Sequence, residues 1–361
     1  MTNGKKIHNF SAGPSILSDY AIEKSSADLK SFSDTGLSVL EISHRSKQFV
    51  QVADEATQLV KKLLNLTDDY DVLFLQGGAS TQFFQIPHNF LKTKAVYLNT
   101  GTWSKKAIKE AKGYGEVDVC ASSEDGNFNY IPGNYTISSD ADYFHCTSNN
   151  TIFGTQIKEF PDSDIPMICD MSSDIFSRPI DVTKFDMIYA GAQKNMGPAG
   201  VTLVVIKKGM YNKLADRHIP SMVNYKTHAD ADSMFNTPPV FPILVSKYNM
   251  EWVLNNGGLE GMEKRNNEKA SLLYDAIDAS PYFKGTARED SRSHMNACFV
   301  FNPEYEDLSS KFDEACKEAG LSGLKGHRSV GGYRASLYNA LSLESVQALV
   351  DVINKFNGLL R

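Results

Sequence analysis

Lys194 is the only lysine in a run of small residues, Tyr189-Ala190-Gly191-Ala192-Gln193-Lys194-Asn195-Met196-Gly197-Pro198-Ala199-Gly200. An apolar run at 187–189 precedes it and another at 201–206 follows. A lysine whose amine meets a ligand instead of bulk water is a candidate Schiff-base former. An isolated lysine is otherwise a solvated surface residue, but these glycines are not surface-helix composition. Gln76-Gly77-Gly78-Ala79-Ser80-Thr81 follows the apolar run 72–75 and opens a helix. Free N–H groups there bind a phosphate; an ordinary strand-to-helix turn has the same composition. Trp103, one of two tryptophans, follows the run 95–98 and either stacks on a planar ring or fills a core. Asp170 ends the run 166–169. Buried there, it needs a partner, such as a protonated ring nitrogen; capping the next segment is the alternative. It precedes Lys194 by 24 residues, room for one crossover and one more strand, so both fall at the same edge of a parallel sheet. Two basic clusters, Ser43-His44-Arg45-Ser46-Lys47 and Lys325-Gly326-His327-Arg328-Ser329-Val330-Gly331-Gly332-Tyr333-Arg334, join His to Arg. Arginine forks grip carboxylate and phosphate at two points. Either cluster alone reads as a solvated loop; together they suit a substrate with two separated anions.

The elements that must position these groups are legible in the texture of the chain. Near-continuous apolar runs at 72–75, 95–98, 143–146, 166–169, 187–189 and 201–206 suit strands buried on both faces of a mostly parallel sheet. Helical spacing marks 51–64 and 104–112, the latter with Thr102 or Ser104 as cap. Alternating strands and helices define an α/β domain whose ligands bind beyond the carboxyl ends of the strands. After Gly257 the pattern changes: helix at 259–277, strand at 296–301, helix at 308–319, strand at 333–338 and helix at 343–357. The expected organisation is an arm at 1–15, a large domain at 16–257 and a smaller C-terminal α+β domain at 258–361. The 361 residues carry a net charge of −6, against nucleic-acid or membrane-surface binding. No apolar run approaches the roughly 20 residues of a spanning helix, and the N-terminus lacks the apolar stretch of a secretory signal. Five cysteines, none in a C-x-x-C pair, fit free thiols and a cytoplasmic location. Cys146 and Cys169 read as small buried hydrophobes. No metal site is expected.

These residues resemble the phosphoserine aminotransferases, a family of fold-type I pyridoxal-phosphate enzymes. The resemblance runs from Asn9-Phe10-Ser11-Ala12-Gly13-Pro14 to Gly331-Gly332-Tyr333-Arg334-Ala335-Ser336-Leu337-Tyr338-Asn339. It includes Glu41-Ile42-Ser43-His44-Arg45, Ser177-Arg178-Pro179-Ile180-Asp181-Val182, Ser233-Met234-Phe235-Asn236-Thr237-Pro238-Pro239 and Leu324-Lys325-Gly326-His327-Arg328. It implies a large domain with a sheet of seven-stranded type and pyridoxal 5'-phosphate as cofactor. Lys194 would form the Schiff base beside Gln193, Trp103 would stack on the pyridine, Thr151 would meet the ring oxygen and Asp170 the ring nitrogen. Ala79 and Ser80 would hold the cofactor phosphate, completed by Asn236 and Thr237 of a neighbouring subunit in a homodimer. Arg334 would take the substrate α-carboxylate, and His44, Arg45, His327 and Arg328 its distal anion. Ser80 stands where some relatives carry arginine, and Ala12 where some carry serine. The implied reaction is reversible transamination between phosphoserine and 2-oxoglutarate, giving 3-phosphohydroxypyruvate and glutamate; phosphohydroxythreonine carries the same two anions. The rival within the same chemistry is a cysteine desulfurase-like lyase, which needs a mobile catalytic cysteine.

Overall fold

The computed structural model describes residues 6–359. Its centre is a seven-stranded sheet of β1 (Tyr70–Leu75), β2 (Lys94–Asn99), β3 (Glu116–Ser122), β4 (Phe144–Thr147), β5 (Met167–Asp170), β6 (Met187–Gly191) and β7 (Thr202–Lys207), in the order β1-β7-β6-β5-β4-β2-β3. Neighbouring strands run parallel except at β7, which is antiparallel to both β1 and β6. The connection from β6 to β7 is therefore a hairpin in the middle of the sheet, and it carries Lys194.

Alternate residues of the same strands face two different cores, the period-two consequence of pleating. Val72, Phe74, Phe144, Cys146, Cys169, Ile188, Leu203 and Val205 share one core with α2 (Lys47–Leu64) and α6 (Val240–Asn255). α1 (Asp19–Lys30) packs outside, on α6. Leu73, Tyr97, Tyr143, Ile168, Tyr189 and Val204 face the other way, onto α3 (Gly78–Phe90), α4 (Thr102–Ala111) and the short α5 (Tyr225–Ala229). With helices on both faces, the inner strands need apolar side chains throughout, which is why their runs do not alternate. In α2, Phe49, Val52, Ala53, Ala56, Val60, Leu63 and Leu64 are buried at three- and four-residue spacing, and Ser46 caps the helix by accepting from the N–H of Phe49.

The smaller domain is an antiparallel sheet of β8 (Phe283–Gly285), β9 (Asn296–Phe301) and β10 (Tyr333–Ser336). It is covered by α7 (Gly258–Asp278), α8 (Ser309–Glu318) and α9 (Leu343–Leu359) around an aromatic core of Phe283, Phe299, Phe301, Phe312, Tyr333 and Phe356. The expected helix at 259–277 matches α7 within a residue at each end, beginning where Gly257 and Gly258 take left-handed φ of 91° and 66°. Yet α7 serves both bodies: Leu259 and Met262 lie in the large core, Leu273 and Ile277 in the small one. The described part of the N-terminal arm joins the small domain, with His8–Asn9 pairing parallel to Leu321–Ser322 and Phe10 fully buried there. Among the elements that escaped the apolar patterning are β3 and α6. β3 is a partly exposed edge strand bearing Glu116 and Asp118. α6 is apolar on nearly every side because it is sandwiched between α1 and α2.

His145 on β4 shows how dry the sheet interior is. It is 1% exposed, stacked on Tyr97 at 4.8 Å and hydrogen-bonded to the Tyr189 hydroxyl at 3.0 Å. Burial pushes its pKa from 6.5 to about 3. Between those values the unfolded chain binds a proton that the native chain refuses. The stabilisation is thus complete above pH 6.5 and is lost as pH falls towards 3, by at most about 1.4 kcal/mol per unit. His145→Gln should flatten this dependence. Urea midpoints of wild type and variant at pH 7 and pH 5 measure it, and parallel losses in the two proteins would refute the assignment.

Candidate active site

The parallel strands β4, β5 and β6 end together: Thr147 pairs with Asp170, and Asp170 with Tyr189. Their carboxyl ends lie at one edge of the sheet, the edge where open, mostly parallel sheets bind ligands. Asp170, 5% exposed, closes β5. Its Oδ1 accepts from the backbone N–H of Ser172 at 2.9 Å and from the Ser172 hydroxyl at 2.6 Å. Ser172 Oγ also accepts from the N–H of Gly191, the last residue of β6, at 3.1 Å. One serine thus ties the carboxylate to the strand that leads to Lys194. Burial raises the Asp170 pKa; Lys194 and the Ser172 bonds oppose that rise. Both Ser172 bonds fall on one oxygen, which leaves Oδ2 for a cationic N–H presented from the cavity.

Lys194, half-buried, follows β6 in a loop cinched by Ala192 N–H to Val201 C=O at 3.1 Å and Gly197 N–H to Ala192 C=O at 2.8 Å. Burial lowers its pKa; Asp170 raises it and Arg334 lowers it further. Its amine lies 5.7 Å from the centre of the Trp103 ring. Trp103 sits in the first turn of α4, and its Nε1 donates to Thr151 Oγ1 at 3.1 Å, which fixes the plane of the indole. The N-cap of α4 is Gly101, where Thr102 or Ser104 was expected. Ser104 reaches back instead, its Oγ accepting from the N–H groups of Thr100 and Gly101 at 3.0 Å each. Arg334 on β10 donates through Nη1 to the carbonyl of Thr151 at 3.1 Å. Lys194, Asp170, Trp103, Thr151 and Arg334 therefore come together.

The glycine turn also takes the expected form. Gly77 and Gly78 have φ of 95° and 69°, and no side chain caps the first turn of α3. A Cβ on Gly77 would stand 2.0 Å from Thr81 Oγ1, so only glycine fits. The uncapped N–H groups of this turn, with Ala79 half-buried and Ser80 exposed, suit a phosphate. With the carboxylate, amine and aromatic plate, they fit a phosphorylated pyridine aldehyde. Gln193 is half-buried beside Lys194, and its carbonyl accepts from Ser15 N–H at 3.0 Å.

His327 lies close enough to Arg334, Arg328 and Lys106 that all three cations, after burial, lower its pKa. That is an electropositive mouth awaiting an anion. Lys106, with its amine 4.5 Å from the Trp103 ring centre, escaped sequence reasoning because a lysine on a helix carries no signal of its own. Ser172 and Ser15 escaped for the same reason. His44 is partly buried with Nε2 unpartnered, and Arg45 is exposed; both precede α2 and make no hydrogen bond to Lys194, Asp170 or Arg334 within the chain. Asn236 and Thr237 are exposed and share a cleft of about 210 Å³ with Gly77 and Thr81. There Gln76 donates to the Thr237 carbonyl at 2.8 Å.

The fold and this site define a class-V aminotransferase, and the sequence profile of the aminotransferase class-V family matches residues 7–349. The chain is 56% identical to the phosphoserine aminotransferase of Bacteroides fragilis, covering 98% of this chain and 99% of that one. It is 58% identical to that of Flavobacterium psychrophilum, covering 98% and 99%. The chain belongs to the phosphoserine aminotransferase family. Its fold matches the solved phosphoserine aminotransferase of Bacillus circulans subsp. alkalophilus with a TM-score of 0.95, at 44% identity over 99% of both chains. It matches that of Trichomonas vaginalis, solved with pyridoxal phosphate bound, at 0.92 and 39% identity over 97% of this chain and 100% of that one.

The opposing influences on Lys194 predict opposite shifts. Asp170→Asn should lower the pH at which Lys194 becomes reactive, and Arg334→Gln should raise it. The rate of Schiff-base formation between apo-protein and pyridoxal phosphate, followed against pH, reads both; shifts of the same sign would contradict this electrostatic account.

Proposed function

We propose that this chain catalyses reversible transamination between O-phospho-L-serine and 2-oxoglutarate, giving 3-phosphohydroxypyruvate and L-glutamate, with pyridoxal 5'-phosphate as cofactor. The observation that carries the reading is the meeting of Lys194, Asp170 and Trp103 past the ends of β5 and β6 and at the start of α4, with Arg334 near enough to act on the Lys194 charge and bonded to the Thr151 carbonyl. When bound, pyridoxal phosphate supplies the electron sink that lets an amino acid lose its Cα proton.

Lys194 would hold the cofactor through its amine, and the same amine would take the substrate Cα proton. Its lowered pKa keeps more of the amine neutral, as a general base requires. Asp170 holds a proton on the pyridine nitrogen, a pairing that offsets the cost of burying its carboxylate. Trp103, held by Thr151, supports the ring face, and Thr151 and Gln193 contact the cofactor's edge. The N–H groups of Ala79 and Ser80 take the phosphate.

Arg334 grips the α-carboxylate common to all these substrates. His327 and Arg328, with His44 and Arg45, receive the distal phosphate or carboxylate. Phosphoserine and glutamate then use one site, since each has an α-carboxylate and a second anion at similar reach. Phosphohydroxythreonine fits the same description.

A homodimer completes this site. Val50, Met222 and Phe235 are exposed at 39%, 46% and 44%. Clefts lined by Val50, Met222, Pro238, Asn236 and Thr237 adjoin on that face. A twofold axis past the cleft would bring Asn236 and Thr237 of each copy to the glycine turn of the other. Free cysteines and the metabolic reaction support a cytoplasmic location; no helix among the described residues is long and apolar enough to cross a membrane. The lyase alternative lacks its nucleophile. Cys298, which pairs with Arg334 across β9 and β10, is 3% exposed, and burial pushes its thiol up to about 12.

Glutamate-dependent turnover of 3-phosphohydroxypyruvate is the direct assay. Arg45→Ala and Arg328→Ala should each raise KM for phosphoserine by about 10-fold or more, the scale of a lost charged hydrogen bond, and leave alanine as donor nearly unaffected. Equal losses for both donors would remove these residues from the distal site. Lys194→Ala should abolish turnover and the absorbance of the lysine–cofactor bond.

A further inference from the structure

Lys194 and Arg334 act on one substrate, but they stand on different bodies: one on the β6–β7 hairpin of the large sheet, the other on β10 of the small one. Something must hold their separation. The residue after Lys194 is Asn195, 3% exposed. Its Oδ1 accepts from the backbone N–H of Asn339 at 2.9 Å, three residues beyond the end of β10. Its Nδ2 donates to the carbonyl of Ile175 at 3.0 Å, in the turn that follows Asp170. Asn249 of α6 donates to the carbonyls of Asn195 and Met196, both at 3.1 Å. One side chain therefore joins the lysine loop, the aspartate turn and the arginine strand.

The far side of the joint is as firmly held. Asn339 Nδ2 donates to the Phe176 carbonyl at 2.8 Å, and its Oδ1 accepts from Asn266 at 2.8 Å. Lys269 of α7, fully buried, gives its amine to the carbonyls of Leu337 and Tyr338, both at 2.7 Å. A buried ammonium bonded to carbonyls is costly to retain, and this one fixes the two residues before Asn339. The network touches neither the cavity nor any group assigned to substrate.

We propose that Asn195 is a positioning residue, whose side-chain amide sets the reach of Arg334 relative to the Lys194 amine by gripping Asn339. The proposal rests on Lys194 and Arg334 being the groups that handle the substrate. Asparagine suits the post because it offers an acceptor and a donor from one short side chain. Serine falls short of Asn339, and alanine offers neither bond. Since Arg334 meets the α-carboxylate, misplacing it penalises every substrate alike.

The test is steady-state and spectroscopic, on the holoenzyme. Asn195→Ala should raise KM for phosphoserine, glutamate and alanine by the same factor, about 10-fold, as loss of a buried hydrogen bond implies. The absorbance of the lysine–cofactor bond should persist. Asn195→Asp, which keeps the acceptor for Asn339, should hold KM within about threefold of wild type by the same measure. A merely structural role would lower the melting temperature and leave KM per active site unchanged; that result overturns the proposal, as does a penalty confined to phosphoserine. Should Asn195→Ala not fold, Asn195→Ser gives the same reading. Absence of phosphoserine turnover in the wild type would overturn the proposed reaction, while the common factor for glutamate and alanine would still decide the role of Asn195.

Discussion

The structure is organised around two opposite charges that neither water nor a direct ion pair fully satisfies. Asp170 ends β5 and Lys194 follows the adjacent parallel β6, each desolvated and each favouring the other's charged form. Left alone, such groups tend to neutralise rather than stay charged. They stay poised because Ser172 holds the carboxylate from one side and the arginine on β10 opposes the ammonium from the other. The parallel sheet makes this affordable by ending β4, β5 and β6 at one level, so the charges face a cavity and not the core.

Much of this was readable from residue order. Apolar runs located six of the seven large-sheet strands, and the change of texture at Gly257 falls where α7 begins. Lys194, Asp170, Trp103 and Arg334 each stand at a strand end or the start of a helix, where the chain must turn and side chains can meet a ligand. What was hidden was set by tertiary context. β3 lies at an edge and needs no apolar run. Ser172, Ser15 and Asn195 act through hydrogen bonds between distant segments, and a small polar residue in a loop reads the same whether or not such a partner exists. The sharing of α7 between two cores, and the seating of Phe10 in the second, likewise arise from packing that periodicity does not encode.

The cationic residues divide into two kinds. Arg334 is built in: it spans β10 and the Thr151 carbonyl, and its position is fixed by strand pairing with Cys298. His327 stands where Arg334, Arg328 and Lys106 disfavour its protonated form. In the proposed reading the first kind would take the end that every substrate shares, and the second the end where substrates differ. A fixed arginine at the common end and crowded cations at the variable one would let a phosphate and a carboxylate use one site.

The antiparallel β7 has a further meaning for the lysine. A catalytic lysine on a crossover loop would hang from one strand and a distant helix. Here both ends of the loop are sewn into the middle of the sheet, and its neck is closed by the hydrogen bond from Ala192 to Val201. The backbone is a fixed anchorage, so the travel of the amine is confined to the torsions of its own four methylenes. In the proposed role, Lys194 would carry its proton on a short tether, with no displacement of the chain that bears it.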